Sequence, residues 1–244
     1  MKRQKIRRLT LFVSFLFFPV TLYYFSPALI INAGLKGIVN GSFIVFASMI
    51  VLSIFFGRFF CAYLCPAGGL QDCAALIVDR KPKQGRKNFI KFGIWIVWIC
   101  AVIFCYAGKI RELKIDFFYQ TDHGISASDF QSYVIYYGIV LLILLSALIA
   151  GRRAFCHYFC WMAPFLIFGT KIRGLLHLPG LRISVDGTKC VSCNECAGIC
   201  PMCIEPAKTA PDSGRSDPEC IQCGACADIC KQKAITYRMR KGSR

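Results

Sequence analysis

The sequence predicts a helical membrane protein that carries a small cysteine-rich α+β domain at its C-terminal end. Three observations predict this fold class. Of the 244 residues, 56% are hydrophobic and only 18% are charged, several segments lack charged residues for long enough to cross a bilayer, and 16 cysteines fall into repeated short spacings. In soluble domains about a quarter of all residues are charged, so this composition excludes an ordinary soluble enzyme.

Four segments without a charged residue are predicted to cross the membrane. They are residues 9–35, 37–57, 92–108 and 130–151. The last three fall within the roughly 17–25 apolar residues that a spanning helix needs, and the first is slightly longer. The basic start of the chain followed by an apolar run resembles a signal peptide. No small-residue cleavage site follows, and the run is too long for a signal, so we expect an uncleaved first span.

The basic residues predict the orientation of these spans. The N-terminal tail, the loop after the second span and the region after the fourth span carry 26 of the 30 Lys and Arg residues. Because basic loops stay on the cytoplasmic side, both termini are predicted to be cytoplasmic in a multi-pass protein of a prokaryotic cell membrane. Nucleic-acid binding is the competing interpretation of a net charge of +17, but the basic residues cluster beside the spans, so no nucleic-acid partner is expected.

Residues 154–170 form another uncharged segment. A fifth span here would place the basic C-terminal region outside, against the Lys and Arg distribution. We therefore expect an interfacial or re-entrant helix. The predicted organisation is four spans in two pseudo-symmetric halves over residues 1–180, followed by a domain with a basic tail over residues 181–244.

Eight cysteines near the C-terminus form two copies of one spacing. Each copy reads C-x2-C-x2-C-x3-C, and the copies start 30 residues apart. This is the spacing of bacterial ferredoxins that hold two iron–sulfur clusters, and soft anionic thiolates suit such clusters. The cysteines are Cys190, Cys193, Cys196 and Cys200 in the first copy, and Cys220, Cys223, Cys226 and Cys230 in the second.

In two-cluster ferredoxins the fourth cysteine of each copy binds the other cluster. The sequence therefore predicts two 4Fe–4S clusters, one held by Cys190, Cys193, Cys196 and Cys230 and the other by Cys220, Cys223, Cys226 and Cys200. Zinc is the alternative occupant of paired C-x2-C motifs, but the third cysteine and the x3-Cys step disfavour it. A ninth cysteine in this domain, Cys203, is interpreted as a small buried apolar residue.

Two further cysteine pairs follow the second and fourth predicted spans. The segments read GRFFCAYLCPAG and GRRAFCHYFCWMAP, so that Cys61 and Cys65 match Cys156 and Cys160 at a separation of 95 residues. This is an internal repeat that places an aromatic C-x3-C motif at the same edge of the membrane in both halves. Residues four apart share a helix face, so each motif presents two thiols together.

Three interpretations of these edge cysteines stay open. The two pairs could meet and ligate one metal or iron–sulfur centre with four thiolates, act as two thiol–disulfide couples, or be inert buried pairs. His157 inside the second motif could be a ligand or a proton carrier, or could simply form a local hydrogen bond. The remaining cysteines, Cys73, Cys100 and Cys105, are not assigned a role, and the last two are interpreted as packing residues.

The chain resembles the NapH/NosR-type membrane polyferredoxins. The resemblance rests on the four spans, on GRFFCAYLCPAG and RRAFCHYFCWMAP, and on the eight C-terminal cysteines, and it covers nearly the whole chain. It implies membrane electron transfer, as in quinol dehydrogenase subunits that feed reductases, or an accessory role in metalloenzyme maturation. Two features depart from the family: Trp161 stands where Pro is usual, and neither outer loop could hold a large flavin-binding domain.

Three functions follow as hypotheses. In the first, the protein passes electrons between a membrane donor, such as a quinone, and the ferredoxin-type clusters, for partner oxidoreductase subunits. In the second, the edge thiols bind or reduce a soft metal ion as substrate. In the third, the protein is a non-redox anchor. Whether it belongs to an enzyme, as a quinol dehydrogenase-type subunit, stays open. The basic residues Lys171, Arg173 and Arg182 are expected to face anionic headgroups beside the membrane.

Overall fold

The computed structural model describes residues 2–82, 85–209 and 217–240. Lys241 and Arg244, which belong to the predicted basic tail, lie outside the described residues. The described chain is mostly helical, with two small two-stranded sheets.

The N-terminal apolar segment is broken where the sequence predicts one span over residues 9–35. It forms α1 (Lys2–Leu16), α2 (Phe18–Thr21), a 3-10 turn (Leu22–Phe25) and α3 (Pro27–Leu35). The chain bends by 63° between α1 and the segment Phe18–Phe25. Proline is the reason for the second break: Ser26, before Pro27, is extended, and its side chain accepts a hydrogen bond from Leu29 N to start α3.

Two of the predicted spans are confirmed as helices of sufficient length and apolarity. The first is a helical segment of 21 residues, Lys87–Ala107, which includes α7 (Ile90–Ala107). The second is α8 (Phe130–Ala150), which also has 21 residues. The number of possible spans rises to three only if α1 and the bent segment Phe18–Phe25 count as one span. The second predicted span forms α4 (Gly41–Phe56), which has 16 residues and is shorter than a full crossing. These numbers refer to the described part of the chain.

Short helices follow α4 and α8 in the same order. After α4 come α5 (Phe59–Tyr63) and α6 (Pro66–Ala74), and after α8 come α9 (Ala154–Tyr158) and α10 (Ala163–Leu175). The segment 154–170 is therefore not one helix, and α10 has only 13 residues. It packs along α4 at such close range that a side chain at Gly169 would collide with Ser53. Its buried residues face protein, so α10 is too short and too enclosed for a fifth span.

The end of the helices opposite these short segments holds the first sheet. Strand β1 (Ile38–Asn40), just before α4, pairs in parallel with β2 (Lys114–Asp116), which follows α7. Asn40 caps α4 by accepting a hydrogen bond from Phe43 N at 3.1 Å. The sheet ties the two connections at this end together.

The C-terminal part is closed by an antiparallel pair. Strand β3 (Gly180–Val185) pairs with β4 (Ile235–Arg240), with Ile183 opposite Tyr237. Between them lie α11 (Glu195–Gly198), α12 (Pro206–Thr209) and α13 (Ala225–Ile229), each only four or five residues long. β3 begins next to the predicted boundary at residue 181. Part of this region packs in a small core of its own, and part packs into the large core of the helices.

Candidate functional site

The two C-terminal cysteine loops share one backbone conformation. In the first loop, Ser192 and Asn194 on either side of Cys193 have φ of 53° and 60°. In the second loop, Gln222 and Gly224 have φ of 57° and 70° at the matching positions. Alternation of right- and left-handed residues turns successive backbone N–H groups toward one side, which makes an anion-binding concavity. The repeat in spacing is therefore also a repeat in local structure.

A third left-handed position repeats after the fourth cysteine of each loop. Cys203 has φ of 53° and Lys233 has φ of 50°, and each lies three residues beyond its fourth cysteine. Cys203 is half-buried, and its position in this turn accounts for it without a role as ligand.

Each predicted set of four cysteines lines one cavity. Both cavities have a mostly apolar lining. The structure thus brings together the sets in which the fourth cysteine is exchanged between loops. The first cavity is lined by Cys200, Cys220, Cys223 and Cys226, and the second by Cys190, Cys193, Cys196 and Cys230.

Burial disfavours free thiolates in these cavities. It raises the pKa of Cys200 to about 11, although the backbone N–H groups of Ile204 and Met202 act in the opposite direction. The pKa of Cys196 is also raised by burial, against hydrogen bonds from the N–H groups of Ala197 and Ala207. A thiolate set in such a site requires positive charge at its centre, which iron supplies. The donor set, the cavities and the inward N–H groups fit iron–sulfur clusters.

The two cavities differ in their surroundings. Cys200 and Cys223 pack in the same large core as three of the edge cysteines, and Cys190 and Cys196 pack in the small C-terminal core. Cys220 contacts both cores, and Cys226 is buried in the small one. Cys223 is buried, and Cys193 is exposed. One cysteine set therefore faces the helices, and the other faces solvent.

The four edge cysteines are all buried and close to one another. Cys61, Cys65, Cys156 and Cys160 are 4%, 6%, 3% and 6% exposed. Burial raises the pKa of Cys65 well above its ordinary value, and the charges of the other three thiols raise it further. The structure thus brings together the two pairs that the repeat singled out, from positions 95 residues apart.

A glycine with a positive φ and a buried arginine precede each edge motif. Gly57 and Gly151, directly after α4 and α8, have φ of 61° and 100°, which side chains other than hydrogen rarely allow. The turns bring Arg58 and Arg153 under the thiols, where they are 0% and 1% exposed. Both arginines keep N–H groups without a partner in the described structure.

The buried arginines are charged and act on the thiols. Burial acts to lower the pKa of Arg58, but the charges of Glu219 and of three edge cysteines outweigh burial and raise this pKa. Asp72 and Cys156 raise the pKa of Arg153 in the same way. Unpartnered N–H groups on buried cations beside four thiols fit a cluster that carries net negative charge.

The two halves are joined across the edge motifs by hydrogen bonds. Arg153 from the second half donates to the carbonyl of Cys61 in the first at 2.8 Å. Gln71 from the first half donates to Cys156 Sγ at 3.2 Å and accepts from Phe155 N at 3.1 Å. The carboxylate of Asp72 accepts hydrogen bonds from Arg153 Nε at 2.8 Å and from Arg7 Nη1 at 2.7 Å. Each pair of thiols is thus positioned by residues of the other half.

A carboxylate ties the edge to the C-terminal part. Glu219, next to Cys220, contacts Arg58 Nη1 and Lys91 Nζ, each at 2.5 Å. Lys91 is 0% exposed, as is Arg58. Because both cations are buried, this carboxylate is their main source of compensating charge, and it holds the second cysteine loop against the helices.

His157 lies in the second edge motif and is 1% exposed. Both its ring nitrogens lack a hydrogen-bond partner in the described structure, so the predicted local hydrogen bond is not observed. Burial lowers its pKa to about 4. The ring is therefore neutral at physiological pH and presents a lone pair inside the site.

Mononuclear metal binding is not favoured by the geometry. Among the residues that the structure describes, no three His, Cys, Asp or Glu side chains have the spacing to hold a metal ion. A four-iron cluster spans a wider set of thiolates than one ion does. The cysteine sets described above are of the kind that holds iron–sulfur clusters, which supply one-electron transfer when bound.

Several site residues were not identified from the sequence. Gln71, Asp72 and Glu219 are isolated polar residues with no motif, and their partners lie 65 to 161 residues away. The one available signal was the matched arginine before each C-x3-C motif. The remaining cysteines behave as packing or surface residues: Cys73 and Cys100 are exposed and Cys105 is half-buried.

Comparison with known proteins agrees with iron–sulfur chemistry. A family described as a 4Fe-4S binding domain matches the chain twice, over residues 41–84 and 133–179. Each match contains one edge motif, and neither includes the eight C-terminal cysteines. An uncharacterised protein of Methanocaldococcus jannaschii is 28% identical over 180 residues, which are 70% of each chain. No solved structure matches the chain. These findings support an iron–sulfur protein with apolar helices able to associate with a membrane.

Proposed function

We propose that the protein is a membrane electron-transfer protein of the NapH/NosR polyferredoxin type. It connects a membrane donor, a quinol or a partner subunit, with two ferredoxin-type 4Fe–4S clusters and a partner oxidoreductase. When bound, the clusters supply one-electron transfer. The observation that carries the proposal is that the four edge thiols are all buried, and that three of them, Cys61, Cys156 and Cys160, pack in the same core as cysteines of the second C-terminal loop.

The chain's own residues have defined tasks in this proposal. Cys61, Cys65, Cys156 and Cys160 hold a shared centre, which the two family matches support because each contains one edge motif. Arg58 and Arg153 offset its negative charge. The dry packing around the thiols keeps solvent away, and burial and hydrogen bonding to sulfur tune a cluster's reduction potential.

A contact between the ends of the chain supports the proposed topology. Arg3 Nη2 lies 2.6 Å from Asp228 Oδ1, and Gln4 donates to the carbonyl of Cys223 at 3.0 Å. Residues that touch must lie on one side of the membrane, so the chain between them crosses an even number of times. We propose four crossings, in two similar halves, with both ends cytoplasmic. Reporters fused after Arg244 and at Gly124 should report cytoplasm and outside, and an outside signal from Arg244 contradicts this topology.

An apolar cavity supports a lipid-soluble donor. It reaches from Cys65 and Cys160 to Ile139 on α8. Tyr23 and Trp161 add polar groups to an otherwise apolar lining. Such a cavity suits an apolar ring with a few polar atoms, as a quinone head has, and it places that ring beside two of the edge thiols.

The alternative of metal handling is less well supported. A metal ion as substrate must enter and leave, and the edge thiols are at most 6% exposed. Their burial suits a resident centre better than a transient cargo. Turnover of Cu(I) or another soft metal at these thiols would restore this alternative.

Anaerobic purification followed by iron and sulfide analysis tests the proposed function. We expect about eight iron and eight sulfide from the C-terminal sets, with further iron that disappears when all four edge cysteines are replaced by Ser. Addition of a quinol should then produce EPR signals of reduced clusters in the native protein and not in the edge variant. A Cys100→Ser protein is the matched control. Zinc in place of iron contradicts the proposal, as does reduction by quinol without the edge cysteines.

A further inference from the structure

A basic cleft lies between the end of α10 and the C-terminal part. Its lining combines Lys171, Arg173 and Arg182 with one acidic side chain, Asp217, among the described residues. Arg173 and Arg182 are 2% and 5% exposed. The sequence predicts that these cations face anionic headgroups, and this stays a prediction; in the fold, both arginines are enclosed by surrounding residues.

The chain is shaped around Arg173. Its Nη1 donates to the carbonyl of Leu181 at 3.0 Å and to that of Phe55 at 3.5 Å. A Cβ atom at Gly180 would lie 2.6 Å from Arg173 Cδ, and one at Gly57 would lie 3.6 Å from Arg173 Nη1. Gly180 thus leaves space for the side chain of Arg173, and backbone carbonyls hold its guanidinium.

The positive charge of Arg173 is not balanced by a carboxylate of the described residues. Burial and the nearby charge of Arg182 lower its pKa to about 10, and the opposing influence comes from Cys220. Its Nε has no hydrogen-bond partner in the described structure. Asp217 accepts from Glu219 N at 2.7 Å instead, and burial raises its pKa, which weakens it as a counter-ion.

The cleft lies at the level where the helices meet the C-terminal part. Phe55 and Phe56 at the end of α4 are 41% and 45% exposed, and Leu175 and Leu176 at the end of α10 are 79% and 60% exposed. Exposed apolar residues beside a basic cleft are typical of the boundary between acyl chains and headgroups. An anion that reaches this cleft can come from a lipid or from solution.

We propose that the cleft binds a phosphate-bearing anion, with Arg173 as its central ligand and Arg182 and Lys171 beside it. Guanidinium groups match phosphate oxygens in charge and geometry. Such an anion offsets the positive charge of Arg173, for which the described residues supply no carboxylate. The site is separate from the proposed electron-transfer function, which does not require it.

The test uses the full-length protein in nanodiscs of phosphatidylcholine, with or without about a fifth of phosphatidylglycerol, a fraction chosen to give a clearly anionic surface. Native mass spectrometry after release counts retained phospholipid. We expect the native protein to retain phosphatidylglycerol and Arg173→Gln to retain it about tenfold less, because a charge-assisted bidentate contact is lost. Lys5→Gln, which removes an exposed charge outside the cleft, should behave as the native protein does.

Further arms distinguish the sources of the anion and guard against a variant that fails to fold. Arg173→Lys keeps the charge without the planar fork and should give intermediate retention. In phosphatidylcholine alone, inorganic phosphate should raise the unfolding temperature of the native protein if the anion comes from solution, and leave it unchanged if the site is selective for lipid. Absence of both effects overturns the proposal. So does an Arg173→Gln protein with normal anion binding and altered EPR signals, which would assign Arg173 to the Cys220 set.

Discussion

The edge cysteines and the C-terminal cysteines are built in opposite ways. In the C-terminal loops, geometry is local: left-handed residues such as Asn194 and Gly224 lie inside the motifs and turn the backbone around each cavity. At the edge, geometry is long-range: Gln71 and Arg153 reach across from one half to position the cysteines of the other. The first kind of site depends on a short stretch of sequence, and the second depends on the whole helical assembly.

The two sites are therefore sensitive to different substitutions. A C-terminal cysteine site is lost when its own loop changes, whereas the edge site is also lost when a distant residue that positions it, such as Gln71 or Arg153, is removed. The contact of Glu219 with Arg58 connects the two kinds. The predictions below test this contrast, beginning with the largest expected effect.

The edge cysteines should act as a single unit. Replacing any one of Cys61, Cys65, Cys156 or Cys160 by Ser should remove the iron of the edge centre as fully as replacing all four, because groups that work together are not additive. Iron analysis and EPR measure the effect, and the signals of both C-terminal clusters should persist. If the two pairs contribute independently and additively, they are separate thiol couples.

The C-terminal sets should fail one at a time. Cys196→Ser should remove the cluster of the solvent-facing cavity, and Cys226→Ser the cluster of the other cavity, at a loss of about four iron each. EPR of the reduced full-length protein should show one remaining C-terminal centre in each variant. Loss of both centres in either variant would mean that these sites are as interdependent as the edge.

The connection between the regions depends on Glu219. Glu219→Gln leaves Arg58 and Lys91 buried without their carboxylate and should lower the free energy of unfolding by about 3–5 kcal/mol. Denaturant titration in detergent measures it. The control is Glu195→Gln, because its contact with Lys231 is exposed and 3.6 Å long, so a change of at most about 1 kcal/mol is expected. Equal effects from both variants would remove Glu219 as the link.

The brace at Asp72 should show a characteristic pH dependence. Burial raises its pKa, but Arg153 and Arg7 outweigh that effect and hold the pKa below its usual value. The lowered pKa contributes stability that is present above about pH 4 and is lost as pH falls through the folded-state pKa. Asp72→Asn should therefore be destabilised by about 3 kcal/mol at neutral pH and should lose this acid dependence.

Asp79→Asn provides the control for Asp72. Asp79 pairs with Arg152, but its side chain is 59% exposed, so its removal should change stability by less than about 1 kcal/mol. Thermal unfolding of the cluster-free protein between pH 3 and 7 separates this ionisation from acid loss of iron. A persistent acid transition in Asp72→Asn would assign it to another group.

The contrast also explains which features the sequence reveals. Spacing alone was sufficient to group the eight C-terminal cysteines, because the turn residues that shape the loops lie within the motif. The two longest apolar helices were also readable from hydropathy. The long-range contacts of Gln71 and Glu219 could not be predicted in this way. Nothing near these residues in sequence indicates a partner that only the folded chain brings close.

The broken N-terminal segment shows a further limit. Residues 9–35 contain no charged residue, and an uncharged run of this length predicts one span. Ser26 nevertheless adopts an extended conformation before Pro27, and the chain bends between α1 and the turn after it. The resulting short pieces pack around the edge cysteines, so packing, rather than the length of the apolar run, determines their geometry.

The clamp of Arg3 and Gln4 on the second cysteine loop orders events during synthesis. Arg3 and its partner Asp228 are separated by 225 residues, which a ribosome that adds about 5–20 residues per second needs roughly 11–45 s to make. Throughout that interval the basic start of α1 has no C-terminal partner. Closure of the two ends is therefore a late event, and any chain released before position 228 leaves the ribosome with its first helix unclamped.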